Sequence, residues 1–377
     1  MSIRAKLIPH QLVFNFNMRT SRGSMKDKTS WFIKLWDEAT PENFGMGECG
    51  PLPGLSIDHS PQLESVLTGL VDMINLRDFS ASDLPASLQD FQTFFASQFP
   101  LISFPAYPSV TFALETAILD LINGGQRVIF PNDFVKGRRI PINGLIWMGG
   151  LDFMLQQVEI KIRDGFKCVK LKIGGIDFEK ECDVLQYIRR KYFREDIVIR
   201  LDANGALKGD EVIHKLNQLN RYTIHSIEQP VKPGSPLLAE LCAKSPIPVA
   251  LDESLIGIHS IDERISLLET VKPQFIILKP SLHGGLQSCI DWIKLAEERN
   301  IGWWITSALE SNVGLNAIAQ FTAQYPITLP QGLGTGTIYT NNIESPLTVS
   351  KGELHFDSTL SWDFSPIGEV SQPLNEQ

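Results

Sequence analysis

Short motifs of acidic residues recur along the middle of the 377-residue chain, each at the end of a short apolar run. Three of them carry an acid followed closely by a polar residue: Asp202-Ala203-Asn204, Glu228-Gln229-Pro230 and Asp252-Glu253-Ser254. The first acids of these motifs are 26 residues apart, from 202 to 228, and 24 residues apart, from 228 to 252. This spacing is typical of one strand–helix unit. We therefore expect Asp202, Glu228 and Asp252 at equivalent places on three adjacent parallel strands.

Three carboxylates at such close range repel each other unless a cation neutralises them. A set of oxygen ligands favours a hard ion, and we predict Mg²⁺ held by Asp202, Glu228 and Asp252. No cysteine or histidine stands at a matching strand end, which argues against zinc. Any single acid could instead cap a helix or pair with a lysine. Three acids at equivalent positions of three consecutive strand–helix units favour a metal site. We expect Asn204 and Glu253 to contact and orient these ligands rather than bind the ion directly.

Lysines follow the same pattern at two other apolar runs. Lys170 and Lys172 are two residues apart in one run, so their side chains project to the same face of a strand. Two neighbouring ammonium groups depress each other's pKa, and a lysine tuned in this way can act as a general base. Lys279 ends a later run and is expected across the site from Lys172. The alternative for a Lys-x-Lys pair is an exposed edge strand.

Eight apolar runs alternate with helical periodicity from about residue 139 onward. The predicted strands are Ile140–Gly144, Cys168–Ile173, Ile197–Leu201, Ile224–Ile227, Val249–Leu251, Phe275–Leu278, Trp303–Ile305 and Ile327–Leu329. Helices are predicted between them at Phe178–Tyr192, Gly209–Leu219, Ile261–Leu268, Leu286–Glu298 and Val313–Ala323. Such alternation indicates an α/β fold, and eight units favour a (β/α)₈ TIM-like barrel over an open sheet. The barrel rule places catalytic side chains where strands end, which is where the motifs lie.

Residues 1–125 show a different pattern, which predicts an α+β domain before the barrel at 139–345. Strands are predicted at Leu12–Phe16 and Trp31–Trp36, separated by a polar loop at Arg19–Thr29. Helices are predicted at Pro61–Ile74 and Val110–Ile122. The tail 346–377 contains a strand-like stretch, Glu353–Phe356, and is expected to pack back on the first domain.

Composition narrows the classes of function. Hydrophobic residues make up 43% and charged residues 20%, which allows a large core. The formal net charge of −9 argues against nucleic acid or an anionic membrane as partner. Five scattered cysteines without a C-x-x-C pair indicate reduced thiols, and no signal peptide or long apolar stretch is evident. We expect a cytoplasmic enzyme acting on a small-molecule carboxylate, with the oligomeric state left open.

The ordered motifs at residues 170–172, 202–204, 228–230, 252–253 and 279–280 resemble the enolase superfamily, in which a lysine or histidine base works with Mg²⁺. Two lysines as the acid–base pair resemble its muconate-lactonizing subgroup. The seventh strand ends at Thr306 and Ser307 without the histidine of mandelate racemases. The eighth strand end, residues 330–336, lacks the Asp-x-Asp of dipeptide epimerases. The stretches 47–56 and 142–145 look most like the o-succinylbenzoate synthases.

That resemblance implies a capping domain at the N-terminus and a carbon–oxygen lyase of menaquinone biosynthesis. The reaction would be the Mg²⁺-dependent dehydration of 2-succinyl-6-hydroxy-2,4-cyclohexadiene-1-carboxylate to o-succinylbenzoate, through α-proton abstraction and an enediolate. Lys172 would be the base, Lys279 would stabilise the anion from the other side, and Lys170 would tune Lys172. Substrate contacts are expected from Ser21, Arg22, Ser307, Gly332 and Gly334.

Two alternatives remain open on the sequence alone. The same two lysines would serve an N-acylamino acid racemase or a dipeptide epimerase, although the missing eighth-strand acids count against the dipeptide version. A barrel that binds a metabolite without catalysis is the alternative from another class. The presence of all three acids and both lysines argues against it.

Overall fold

The N-terminal layer is an antiparallel sheet that extends further than its sequence pattern indicated. The computed structural model describes residues 2–20, 23–209 and 211–368. Strands β1 (Ile3–Thr20), β2 (Gly23–Asp37) and β3 (Phe44–Cys49) follow each other in the order β1-β2-β3. The predicted loop over Arg19–Thr29 is wrong, because pairing continues to Thr20 and Gly23. Met18, fully buried near the tip, packs with Trp147 and Ile338 of the barrel domain, so tertiary contacts support the paired end of the hairpin.

Helices α1 (Leu63–Asn75) and α3 (Pro108–Ile122) pack against this sheet, and α2 (Leu88–Gln98) lies between them in the chain, with short 3₁₀ turns at Ala81–Asp83 and Phe104–Ala106. The predicted helices correspond to α1 and α3, while α2 was missed. Helix α3 lies directly on β3, and glycine makes this approach possible. A Cβ on Gly47 would stand 1.8 Å from the carbonyl oxygen of Ala113, and one on Gly45 would stand 1.9 Å from that of Ala117.

A curled sheet of seven parallel strands forms the barrel, in the order β11-β10-β9-β8-β7-β6-β5. Its strands are β5 (Gly144–Ile146), β6 (Cys168–Lys172), β7 (Val198–Asp202), β8 (Ser226–Glu228), β9 (Val249–Leu251), β10 (Phe275–Leu278) and β11 (Gly302–Ile305). The helices outside and between them are α4 (Leu151–Arg163), α5 (Phe178–Lys191), α6 (Glu211–Asn220), α7 (Leu237–Lys244), α8 (Ile261–Val271), α9 (Pro280–His283), α10 (Gly285–Glu297) and α11 (Asn312–Thr322), with a 3₁₀ turn at Glu253–Leu255. The predicted barrel architecture is confirmed.

The barrel closes at a different place from the one predicted. Single parallel bridges join Ile142 to Gln331 and Thr306 to Gly332, so the eighth position is occupied by residues 331–332. The predicted eighth strand at 327–329 is wrong. Pro326 and Pro330 flank that stretch, and proline has no N–H to donate to a ladder. The predicted first strand is also divided, because β4 (Ile140–Pro141) pairs elsewhere, whereas Ile142 and β5 join the barrel.

The C-terminal segment contacts both parts of the molecule. Strands β12 (Leu347–Ser350) and β13 (Glu353–Phe356) form a hairpin that pairs with β4, at the start of the barrel segment. The residues after it, around the 3₁₀ turn Ser365–Ile367, do pack against β1 and β3. All five cysteines are free and buried. Within the described residues, no helix has both the length and the apolar character needed to cross a membrane.

Candidate active site

The predicted acids and lysines come together at the carboxyl ends of the parallel strands. Register pairs Lys172 on β6 with Asp202 on β7, and Asp202 with Glu228 on β8. All three side chains are buried. Because Lys170 lies two residues before Lys172, it points to the same interior face. Its Nζ donates a hydrogen bond to Oε2 of Glu228 and lies 3.0 Å from Oδ2 of Asp202. Lys170 therefore bridges two of the three acids.

Lys172 is held by two oxygen atoms at the end of the neighbouring strand. Its Nζ lies 3.1 Å from Oδ2 of Asp202 and donates to Oδ1 of Asn204 at 2.8 Å. The amide of Asn204 is itself oriented, because its Nδ2 donates to Oε1 of Glu253 at 2.9 Å. Asn204 has a φ of +42°, a left-handed conformation that asparagine tolerates better than most residues. Asn204 thus contacts both Lys172 and Asp202, since its backbone N–H donates to Oδ1 of Asp202, and Glu253 orients the Asn204 amide.

Lys279 reaches the cluster from β10, three strands further around the barrel from Asp202. Its Nζ lies 2.7 and 2.5 Å from the two carboxylate oxygens of Asp252. Its backbone N–H donates to Nδ1 of His283 at 3.1 Å, which fixes the turn that follows β10. Burial, then the positive charges of Lys279 and Arg264, lower the pKa of His283 to about 3, so this ring is a neutral acceptor. His283 is a structural residue of this turn.

The surroundings shift the pKa values of the clustered acids and lysines in different directions. Burial raises the pKa of Asp202, but Lys170, Lys172 and Lys279 outweigh that effect and hold the pKa well below its usual range. Burial and the other two acids raise the pKa of Glu228 to about 7, although Lys170 opposes this. Lys170 was expected to have a depressed pKa. Burial does favour that direction, but Asp202, Glu228 and Asp252 overcome it, and the pKa is raised instead.

Two residues that organise the site were missed from the sequence. Gln229, with a φ of +37°, accepts hydrogen bonds from the N–H groups of Asp252 and Ser254 and donates to the Ser254 hydroxyl. It thus ties the end of β8 to the end of β9. Glu310, fully buried, accepts from the hydroxyls of Ser281 and Ser307, linking the turns after β10 and β11. The only sequence signal for Gln229 was its position directly after the strand-end acid Glu228. Glu310 follows no strand-end acid, so no such pattern indicated it.

A cavity of about 450 Å³ opens above this cluster. Lys170, Lys172, Asp202, Asn204 and Lys279 line it, together with Ser307, Gly332 and Gly334 from the predicted substrate contacts. A Cβ on Gly332 would stand 2.4 Å from the Thr306 hydroxyl, so the close packing there requires glycine. Ser21 and Arg22 lie outside the described residues. The neighbouring hairpin residues 23–25 and the loop residues 52, 53 and 55 of the N-terminal layer also line the cavity.

The three carboxylates present a set of oxygen donors that suits a divalent cation. Among the residues that the structure describes, no three His, Cys, Asp or Glu side chains already have the spacing of a metal site. Lysine ammonium groups contact Asp202, Glu228 and Asp252 instead. However, Oε1 of Glu228 is buried without a hydrogen-bond partner. An unsatisfied buried carboxylate oxygen, beside two further carboxylates on neighbouring strands, matches the oxygen ligands of Mg²⁺.

Comparison with known proteins places the chain among relatives of this architecture. Residues 154–359 match the family model described as enolase C-terminal domain-like. An o-succinylbenzoate synthase from Desulfotalea psychrophila is 44% identical over 357 residues, covering 91% of this chain and 96% of that protein. An N-succinylamino acid racemase from Amycolatopsis is 25% identical, covering 93% of this chain and 91% of that protein.

Solved structures agree with the sequence relatives. The crystal structure of MenC from Desulfotalea psychrophila superimposes with a TM-score of 0.83 at 41% identity, covering 94% of this chain and all of that one. A dipeptide epimerase from Cytophaga hutchinsonii, complexed with Mg and a dipeptide, superimposes with a TM-score of 0.77 at 19% identity, covering 94% of both chains. The second likeness shows the fold alone.

Proposed function

This chain belongs to the enolase C-terminal domain-like family, and from that membership we propose that it dehydrates 2-succinyl-6-hydroxy-2,4-cyclohexadiene-1-carboxylate to o-succinylbenzoate. The observation that carries the proposal is the placement of Lys172 and Lys279 at one cavity, in a chain 44% identical to an o-succinylbenzoate synthase. The lysines come from β6 and β10, with three strands between them, so they approach a bound ring from different sides.

Asp202, Glu228 and Asp252 are the residues that would hold Mg²⁺. Their carboxylates present the hard oxygen donors that this ion prefers, and Oε1 of Glu228 has no competing partner. When bound, the ion would attract the negative charge that develops on the substrate carboxylate during proton removal. The Mg in the related epimerase fold supports this assignment by analogy.

Lys172 is the proposed base and acid. Its neutral Nζ takes the proton from the ring carbon next to the carboxylate, and the C–H electron pair moves into the carboxylate to give an enediolate anion. The same Nζ, now protonated, donates that proton to the departing hydroxyl as the C–O bond breaks. Water leaves, the ring becomes aromatic, and Lys172 returns to its starting state. Asp202 and Asn204 hold Nζ in place through both transfers.

Lys279 and Lys170 have supporting roles in this proposal. Lys279 supplies positive charge on the other side of the ring, where a cation over a π system stabilises the developing anion. Lys170 contacts Asp202 and Glu228 and places a second positive charge on the same face of β6 as Lys172. Both lysines touch the acid cluster, so their substitution is expected to disturb the acids as well.

Racemisation or epimerisation of an N-acylated amino acid or a dipeptide would use the same two lysines. The relative with a racemase name is only 25% identical, against 44% for the synthase, which favours dehydration. The eighth-strand end also carries no acid between residues 330 and 336 to hold a substrate ammonium group. A non-catalytic barrel is not supported by a cavity that is lined by three lysines in contact with acids.

The test is an ultraviolet assay of purified protein with Mg²⁺ and the cyclohexadiene substrate. Loss of the diene absorbance is expected, and it should be abolished by EDTA and by Lys172→Ala. Exposed Lys167, which directly precedes β6 and is not among the residues that line the cavity, provides a matched control, and Lys167→Ala should retain activity. No turnover of the diene, with deuterium exchange at the α-carbon of N-succinylamino acids in D₂O, would contradict dehydration and favour the racemase.

A further inference from the structure

Lys28 is a buried lysine that lies far along the chain from the proposed catalytic lysines. It belongs to β2, in the sheet of the N-terminal layer, and is only 2% exposed. Its Nζ donates one hydrogen bond to the carbonyl oxygen of Gly50 at 2.8 Å and another to that of Leu309 at 3.0 Å. Gly50 lies in the N-terminal layer and Leu309 follows β11 of the barrel. One ammonium group therefore joins the two parts of the molecule.

Close packing and charge both fix the position of this ammonium group. A Cβ on Gly50 would stand 2.8 Å from Nζ of Lys28 and 2.7 Å from the hydroxyl of Ser30, so only glycine leaves room for the lysine. Burial lowers the pKa of Lys28, and the carboxylates of Glu48 and then Glu310 oppose this effect. Both acids are fully buried, one on β3 and the other in the turn after β11. Lys28 thus places a positive charge near two buried acids where the layer meets the barrel.

The carbonyl groups that Lys28 holds lie at two walls of the cavity. Gly50 comes shortly before the loop wall, residues 52–55, of which Leu52, Pro53 and Leu55 line the cavity. Leu309 belongs to the turn wall, residues 307–309, all of which line it. The two walls also pack on each other in an apolar cluster that includes Leu52, Leu55, Ala308 and Leu309. The contacts of Lys28 therefore fix the backbone that carries both walls, although Lys28 is not among the residues that line the cavity.

Hydrogen bonds within the protein occupy the polar groups of the turn wall. The hydroxyl of Ser307 donates to Oε2 of Glu310 at 2.5 Å and accepts from the hydroxyl of Thr335 at 2.8 Å. The N–H of Ala308 donates to the same oxygen of Glu310 at 2.7 Å. The turn wall therefore meets a ligand largely through apolar surface, and its fit depends on where the backbone is held.

We propose that Lys28 is a positioning residue that sets how tightly the cavity binds the part of the substrate remote from the acids and lysines. This role rests on the proposed function, in which the ligand is a ring carboxylate that carries a succinyl group. Through its bonds to Gly50 and Leu309, Lys28 holds the loop wall and the turn wall at the spacing that fits this remote part. Substrate affinity should therefore depend on Lys28, whereas proton transfer by Lys172 should not.

Kinetics of two variants test this role. Lys28→Met removes both hydrogen bonds and keeps an apolar stem, and it should raise KM for the diene about tenfold at nearly unchanged kcat, since the walls contact ground and transition states alike. Tyr339→Phe removes a further hydrogen bond to the Leu309 carbonyl, of 2.6 Å, without removing a charge, and should raise KM by a smaller factor. Lys34→Met is the matched control, because Lys34 is a buried lysine of the same strand that does not line the cavity, and it should leave KM unchanged.

Amide hydrogen exchange separates this role from the proposed reaction, because it needs no substrate. The backbone N–H groups of residues 307–311 and several of residues 50–56 are hydrogen-bonded, so loosening is measurable. Lys28→Met should speed exchange in both segments, Tyr339→Phe in 307–311 alone, and Lys34→Met in neither. Should Lys28→Met fail to fold, Tyr339→Phe decides by the same two measurements.

Unchanged exchange in these segments overturns the positioning role, even if the diene is turned over. Faster exchange with an unchanged KM, or with kcat falling as much as kcat/KM, also overturns it. If the unmodified chain does not turn over the diene, the proposed reaction fails by itself. Faster exchange together with weaker binding of o-succinylbenzoate in calorimetry then still supports the role of Lys28.

Discussion

Asn204 offers a sharp test of how the proposed base is positioned. Its Oδ1 accepts the hydrogen bond from Lys172 at 2.8 Å, and its Nδ2 donates to Glu253 at 2.9 Å. Asn204→Ala removes both contacts without removing a charge or a proposed metal ligand. Lys172 would keep only its contact with Asp202 at 3.1 Å, and its Nζ would lose one of two constraints.

The magnitude follows from the lost contact to the ammonium group. A hydrogen bond to a charged group contributes about 1.5–3 kcal/mol, and each 1.4 kcal/mol corresponds to a tenfold change in rate. If that contribution acts on the placement of Nζ during proton transfer, kcat should fall about tenfold to 100-fold, with KM nearly unchanged. Alanine at a φ of +42° adds a stability cost of about 1 kcal/mol.

The assay is steady-state kinetics on the diene, together with urea unfolding of the same preparations. Asn217→Ala is the control, since the exposed Asn217 side chain donates its hydrogen bond to the Ile213 carbonyl of its own helix. A variant with unchanged kcat would refute the positioning argument. A large rise in KM at unchanged kcat would instead assign Asn204 to substrate binding.

Three further predictions address the proposed metal site, the contact of Glu115 on α3 with the backbone N–H of Leu286 on α10, and the close approach of Gly47 to α3. Millimolar Mg²⁺ should raise the unfolding temperature by a few degrees in thermal shift, and Glu228→Gln should abolish this response; an equal rise in both would remove Glu228 from the proposed ligands. Burial raises the pKa of Glu115 to about 8, so this group stabilises the fold below pH 4.5 and loses that contribution as pH rises through 8. The unfolding free energy in urea should therefore fall from pH 5 to 8 relative to Glu115→Gln, by about 1 kcal/mol per pH unit, and parallel profiles would contradict the assignment. Gly47→Ala should lower the unfolding free energy by about 3 kcal/mol because its Cβ meets the Ala113 carbonyl oxygen, whereas Gly69→Ala, in open space on α1, should be neutral or slightly stabilising.

The sequence was informative where one periodic rule determines position. The βα repeat placed Asp202, Glu228 and Lys172 at strand ends, because each parallel strand and its crossover helix take a similar length of chain. Their contacts across β6, β7 and β8 then follow from strand register. The roles assigned to these residues stay predictions. The pKa of Lys170 is raised and not lowered as predicted. Residue spacing shows that charged groups are near each other, but not which contacts they make.

Features set by tertiary contacts could not be predicted in the same way. The hairpin tip consists of polar residues that resemble a loop, yet Met18 and Met25 pair across it and contact the barrel domain. The eighth strand position is formed by residues 331 and 332 through single bridges, which leave no periodic signal.

The cavity wall depends on both parts of the chain, which explains why the motifs predict chemistry better than substrate. Leu309 lines the cavity with a φ of +63°, a conformation that is unfavourable for leucine. Its carbonyl accepts hydrogen bonds from Nζ of Lys28, on β2, and from the hydroxyl of Tyr339. Glu48, on β3, accepts from the N–H and hydroxyl of Ser311 two residues later. Since the N-terminal layer holds the turn after β11 in this strained shape, changes far from the acids and lysines can reshape the pocket and leave the proton-transfer groups in place.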